Sequence, residues 1–129
     1  MERKVISSDE APKPIGPYSQ AIDAGPFIFC SGQIPLDPRT NQLIQGDISA
    51  QAKRILDNFE AVLKAAGSSL DRAVKLTVYL KDLGDFESLN LVLAQRFPQN
   101  PPARAVVQIS ALPKNASVEM DLIAIKGNG

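Results

Sequence analysis

Val74, Leu76, Val78 and Leu80 alternate with Lys75, Thr77, Tyr79 and Lys81. This is the cleanest two-residue period in the chain, and it predicts a strand with one buried face. A second alternation runs from Val118 to Ile125. It sets Val118, Met120, Leu122 and Ala124 on one side and Glu119, Asp121, Ile123 and Ile125 on the other. Between them in chain order lies a different spacing. Ile48, Ala52, Ile55, Leu56, Phe59, Val62, Leu63 and Ala66 recur at three and four, the pattern of an amphipathic helix of about five turns. Asp47 suits its N-cap and Gly67 its stop. A second helix is expected from near Asp82 or Asp85, with Phe86, Leu89, Leu93 and Phe97 on one face and Pro98 ending it.

The weaker elements follow from turn chemistry. Lys4 to Ser7 reads as a short edge strand. Gln20 to Ala24 and Phe27 to Ser31 read as a hairpin around Gly25-Pro26. Before it, Pro12, Pro14, Gly16 and Pro17 forbid helix and central strand, so this stretch is an ordered loop presenting Tyr18. Residues 33–46 and 110–117 are irregular connections, and Lys126 to Gly129 is expected to fray. The resulting order is β-β-β-α-β-α-β-β. Two helices pack most simply on one face of such a sheet, with the last two strands paired as a hairpin. The opposite face then carries Ile123, Ile125, Val106 and Thr77. A half-apolar face of this kind predicts a symmetric oligomer that closes over it.

Composition narrows the chemistry. The 129 residues are expected to form one domain, 1–129, with 14 basic and 14 acidic side chains and no basic stripe, which argues against a nucleic-acid partner. No apolar run approaches the ~18–20 residues of a membrane span, and Met1-Glu2-Arg3-Lys4 lacks the apolar core of a signal peptide. With a single cysteine, Cys30, the expected location is cytoplasmic. Histidine is absent, so any acid–base or nucleophilic step must use other groups. One arginine stands out. Pro101-Pro102 delivers Arg104 stiffly onto the start of the apolar run 103–107, either as a solvated strand-end charge or as a preorganised fork for an anion.

Several motifs together resemble one family. They are Gly16-Pro17-Tyr18-Ser19-Gln20-Ala21, Ser31-Gly32-Gln33-Ile34-Pro35, Tyr79-Leu80-Lys81-Asp82 with Asp85-Phe86 and Asn90, Pro102-Ala103-Arg104, and Leu112-Pro113-Lys114 running into Val118-Glu119. In this order they resemble the reactive intermediate deaminase (RidA/YjgF) family, collinearly from Ile6 to Ile125. The resemblance implies a chorismate-mutase-like α+β fold, with a six-stranded mixed sheet and two helices on one face. It also implies a homotrimer with a central barrel and clefts between subunits. The last strand would insert between the Phe27 and Val74 strands, leaving the Arg104 strand at an edge. Arg104 and Glu119 of one chain would then be too far apart for one small ligand, so each site would take them from neighbouring subunits.

The implied activity is hydrolysis of 2-imino acids, formed from enamines that pyridoxal-phosphate enzymes release, to 2-keto acids and ammonia. No cofactor or metal is implied. Arg104 would hold the substrate carboxylate and Glu119 would orient water and act as base, with Asp121 a structural or secondary group. Tyr18, Ser31 and Gly32 would line the cleft, and Asn90 would support it or a subunit contact. Val106 departs from the pattern, since many members carry cysteine there. It leaves a backbone N–H and a more apolar wall, and is expected to alter substrate preference. Cys30 is expected to be a buried structural thiol. Three other roles fit the same resemblance: a non-catalytic binding module for small carboxylates, a ribonuclease or translation inhibitor, and a chaperone-like holdase.

Overall fold

A computed structural model describes residues 2–127. Its strands are β1 (Arg3–Ile6), β2 (Ala21–Ala24), β3 (Phe27–Gln33), β4 (Ala73–Leu80), β5 (Ala103–Gln108) and β6 (Val118–Ile125), and its helices α1 (Ile48–Ala65) and α2 (Phe86–Arg96). The observed order is the expected one. A short 3-10 turn, Leu83–Asp85, leads into α2, where Asp82 accepts from the Gly84 N–H at 2.8 Å. At the other end of the chain Lys126 is held rather than frayed: its N–H donates to the Pro26 carbonyl and its ammonium pairs with Asp23 at 2.8 Å. Asn128 and Gly129 lie outside the described residues.

The six strands form one mixed sheet in the order β1-β2-β3-β6-β4-β5. Only β4 and β5 run parallel, and α2 supplies the crossover that a parallel pair needs. The last strand inserts between the Phe27 and Val74 strands with the Arg104 strand at the edge, as the family resemblance implies, and not as the hairpin that local pattern alone suggests. There β6 pairs antiparallel with both β3 and β4, Leu122 lying opposite Cys30 on one side and Leu76 on the other. Burial gives the reason. Val118, Met120, Leu122 and Ala124 are at most 1% exposed, which only a central strand achieves, whereas β5 is exposed along nearly its whole length.

Both helices lie on one face. Ile55, Leu56, Phe59, Val62 and Leu63 of α1, with Leu89 and Val92 of α2, pack onto Ile28, Leu76, Val78, Met120 and Leu122. Asp47 caps α1, its side chain accepting from the Ala50 N–H at 2.9 Å, and Gly67 ends it at a φ of 74°. Replacing Asp47 by Ala is expected to cost about 1 kcal/mol. Urea titration checks this, and an unchanged midpoint would show that the cap adds nothing.

Asn58, fully buried within α1, donates to the Leu36 carbonyl at 3.0 Å and accepts from the Arg54 Nε at 3.2 Å. It thereby anchors the irregular 33–46 connection to the core. The opposite sheet face is apolar toward β1–β3: Val5, Ile22, Phe29 and Ile123 form one cross-strand row, with Val5 58% and Phe29 44% exposed. Val106 does not belong there. It lies opposite Val78 and packs against the core on the helix side, because Arg104 and Val106 continue the face of Leu76 and Val78 across the ladder.

Candidate functional site

The residues singled out from the sequence gather in two places. Tyr18, Ser31, Gly32 and Glu119 line a cleft of about 460 Å³, together with Ile15, Ile34 and Lys114. Its wall comes from an irregularity in β3, where the pairing with β6 shifts register between Cys30 and Gln33. The shift brings Gly32 against Glu119: a Cβ at position 32 would overlap Glu119 Oε2. Glycine here leaves room for a carboxylate, and its lack of a side chain is what the site uses.

Glu119 is half-buried on the open sheet face, opposite Tyr79. Burial raises its carboxyl pKa above the usual range, and the Asp121 carboxylate adds to the shift. Tyr79 donates its hydroxyl hydrogen to Asp121 Oδ2 at 2.8 Å. That bond, burial and the two nearby carboxylates raise the Tyr79 pKa as well. Among the described residues no donor hydrogen-bonds the Glu119 carboxylate and no cation pairs with it.

The loop in front of this cleft is tied down from behind. Gln20 is buried, its amide donating to the Pro12 carbonyl at 2.9 Å and the Ser8 carbonyl at 3.1 Å while its oxygen accepts from the Ser8 N–H at 2.6 Å. Gln20 stands inside the Gly16-Pro17-Tyr18-Ser19-Gln20-Ala21 motif, which by itself assigns it no role. A polar side chain at the entry to a strand, straight after a proline-rich loop, was the available signal. Ser31 belongs to the same framework. Its hydroxyl donates to the Ser19 carbonyl at 2.5 Å and its N–H to the Gln20 carbonyl at 3.0 Å. Both of its donors are therefore taken up in holding the loop, and only hydroxyl lone pairs remain for a ligand, which narrows the expected role. Tyr18 is 50% exposed, and its hydroxyl accepts from the Ile15 N–H at 3.3 Å. The ring edges the cleft and the hydroxyl hydrogen stays free to donate.

The second group lies at the α2–β5 corner. Arg104 donates to Asn90 Oδ1, and its guanidinium sits 5.4 Å from the Phe86 ring centroid. Asn90 and Arg104 rim a cleft of about 500 Å³ floored by Leu76, Leu93, Phe97 and Pro102. No carboxylate pairs with Arg104 among the described residues, so a steered fork is left open to an anion. Val106 stands two residues along the same strand face.

These groups are on opposite sides of the sheet. Arg104 lies opposite Leu76, whose side chain faces the helices, and Glu119 lies opposite Tyr79, which faces away from them. Within one chain they do not meet on one small molecule. Cys30 is buried on the helix side, with its thiol pKa pushed up to about 12 by burial, an inert group as expected.

Residues 8–126 match the family described as Endoribonuclease L-PSP. A RutC family protein of Pyrococcus abyssi is 52% identical over 98% of this chain and 99% of its own length. The human protein named 2-iminobutanoate/2-iminopropanoate deaminase is 46% identical over 97% of this chain and 91% of its own. Among solved structures, Escherichia coli TdcF with bound serine superposes with a TM-score of 0.89 at 38% identity, covering 96% of this chain and 99% of that one.

Proposed function

Because this chain belongs to the Endoribonuclease L-PSP family, which includes RutC and Rid proteins, we propose that it hydrolyses 2-imino acids to 2-keto acids and ammonia. The observation that carries this reading is Glu119: a half-buried carboxyl with a raised pKa, facing a glycine and free of any internal donor. A carboxyl of raised proton affinity is a better base toward water than an ordinary one and can still return the proton to an amine. The deaminase name of the human relative and the serine bound to TdcF support a small substrate bearing carboxylate and nitrogen. An RNA-directed role has less behind it, given a formal charge of zero and no histidine.

In this reading the partly exposed row of Val5, Phe29 and Ile123 is covered by neighbouring copies in a homotrimer. Arg104 of one subunit and Glu119 of the next then share a site. Arg104, steered by Asn90 and Phe86, grips the substrate carboxylate. Water attacks C2 of the protonated imine. The C–O bond forms, the C=N π pair moves to nitrogen, and Glu119 takes the water proton. Glu119 then returns that proton to the amino group of the carbinolamine. The C–N bond breaks, ammonia leaves, and loss of the hydroxyl proton completes the ketone. Attack on an electrophilic C=N needs only placed water and proton transfer, so the reaction as written uses no cofactor. The chain would act in the cytoplasm, beside the pyridoxal-phosphate enzymes that release enamines.

The direct test generates 2-iminobutanoate from threonine with a dehydratase and traps it with semicarbazide. This protein is expected to suppress trapping, and no suppression by the trimeric protein sinks the reading. Light scattering checks the assembly, where a monomer would remove the shared site. Gly32→Ala is a finer probe. The added methyl displaces only the flexible end of Glu119, so stability is expected to change by less than about 0.5 kcal/mol. Activity should fall about tenfold, less than the ~10²-fold that a full ångström of misplacement can cost. Equal activity would show that Glu119's placement against Gly32 is immaterial.

A further inference from the structure

Glu119 is not alone on its face. Asp121 follows two residues later on the same side of β6, about 7 Å along the strand. Tyr79 lies directly opposite Glu119 in the ladder, yet its hydroxyl reaches diagonally to Asp121. The two carboxylates thus have unequal surroundings. One receives a phenolic donor, and the other receives none. Two neighbouring carboxylates placed so differently divide the labour of holding charge and holding a proton.

We propose that Asp121, two residues along the same face of β6 and clamped by the Tyr79 hydroxyl, is a positioning residue that acts on Glu119 through its charge. This rests on the reading of Glu119 as the base. Asp121 has no contact with the reacting atoms and acts only through Glu119. On the β4 side Lys81 follows Tyr79 by two residues, its ammonium donating to Asn115 Oδ1. From β3 come Ser31 and Gly32, neither charged. From the loop in front comes Tyr18, and from the 113–115 turn comes Lys114, a cation lining the same cleft without pairing to Glu119. In the proposed trimer Arg104 of the partner subunit also faces the site. These cations oppose Asp121 in charge, so removing Asp121 should leave Glu119 without an anionic neighbour.

The consequence is a proton balance suited to the reaction. A carboxylate of ordinary strength takes a proton from water poorly and returns it too readily. Glu119 must do each once per turnover, accepting from water at attack and donating to nitrogen at collapse. The Asp121 charge strengthens the first step, and the proton still leaves easily for an amine.

The experiment titrates Glu119 by NMR on trimeric protein carrying 13C-labelled glutamate carboxyls, assigned by Glu119→Gln, beside the pH profile of kcat/KM in the trapping assay. Asp121→Asn is expected to lower the proton affinity of Glu119 about tenfold, as removal of one charge at this distance predicts. The acid limb of the rate profile should move to lower pH in step. Tyr79→Phe should move both in the same direction by less, since the unclamped Asp121 swings toward solvent. If Asp121→Asn fails to fold by circular dichroism, Asp121→Ser is read instead. A Glu119 titration unmoved in the folded Asp121 variant overturns the proposal. A titration that moves in a protein that hydrolyses no imine supports the coupling and overturns the deaminase reading instead.

Discussion

Replacing Arg104 by Ala is expected to lower kcat/KM about 10²- to 10³-fold, which corresponds to losing the charged partner of a carboxylate held in a desolvated cleft. The loss should appear mainly in KM. The substrate carboxylate takes no part in bond making, so the fork binds ground state and transition state alike. Arg104→Lys should recover only part of it. An ammonium cannot match both oxygens in one plane, and it gives up the stack on Phe86 that aims the guanidinium. Stability should barely respond, since the side chain is exposed and has no ion pair among the described residues. Steady-state kinetics on coupled dehydratase mixtures, with thermal melts alongside, check both halves. Wild-type KM in Arg104→Ala would remove Arg104 from the site.

Glu119→Gln is expected to leave KM near its wild-type value and to lower kcat about 10²- to 10⁴-fold, the range over which a positioned base contributes. The acid limb of the wild-type profile should vanish with it. Stability should move the other way. A carboxyl whose pKa is raised on folding holds its proton more tightly in the folded chain. Its contribution is fully present below the unfolded value and is lost as pH rises through the folded one. At pH 8 the wild type therefore carries a partly buried charge that glutamine does not. The variant should be as stable as wild type or more so, and the difference should shrink toward pH 4. Lost activity with retained or improved stability marks a residue kept for chemistry. Unchanged kcat would instead favour a binding module for small carboxylates, in which the carboxyl has no chemical task.

Much of the architecture was legible in the chain because burial in this sheet is strictly periodic. Leu76, Val78 and Leu80 on β4, and Val118 through Ala124 on β6, announce their buried face by alternation alone, and Asp47 and Gly67 mark the ends of α1 by local chemistry. Arg104 was legible for a similar reason, since two prolines and an apolar run place it at a strand's start. Local pattern failed where the outcome depends on partners far away in sequence, and there only the family resemblance pointed to the central place of the last strand. The expected β5–β6 hairpin is the natural local solution, but β6 is the better-buried strand and takes the centre. Val106 looked available to the open face until its opposition to Val78 set its side. Ser31 lines the cleft as expected, but its donors are engaged by the Ser19 and Gln20 carbonyls, which no local pattern shows.

By itself the sequence determined which residues form each element, which face of each strand is apolar, and which polar groups were candidates for chemistry. These follow from interactions within a few residues: the periods of helix and strand, the geometry of proline, and capping. Local pattern left to the tertiary structure that β6 lies between β3 and β4, a place the family resemblance implied, that a register shift sets Gly32 against Glu119, and that Glu119 and Arg104 stand on opposite sides of one sheet. Strand order and register arise from competition among pairings distant in sequence, settled by which arrangement buries the most apolar surface, and no local pattern carries that sum.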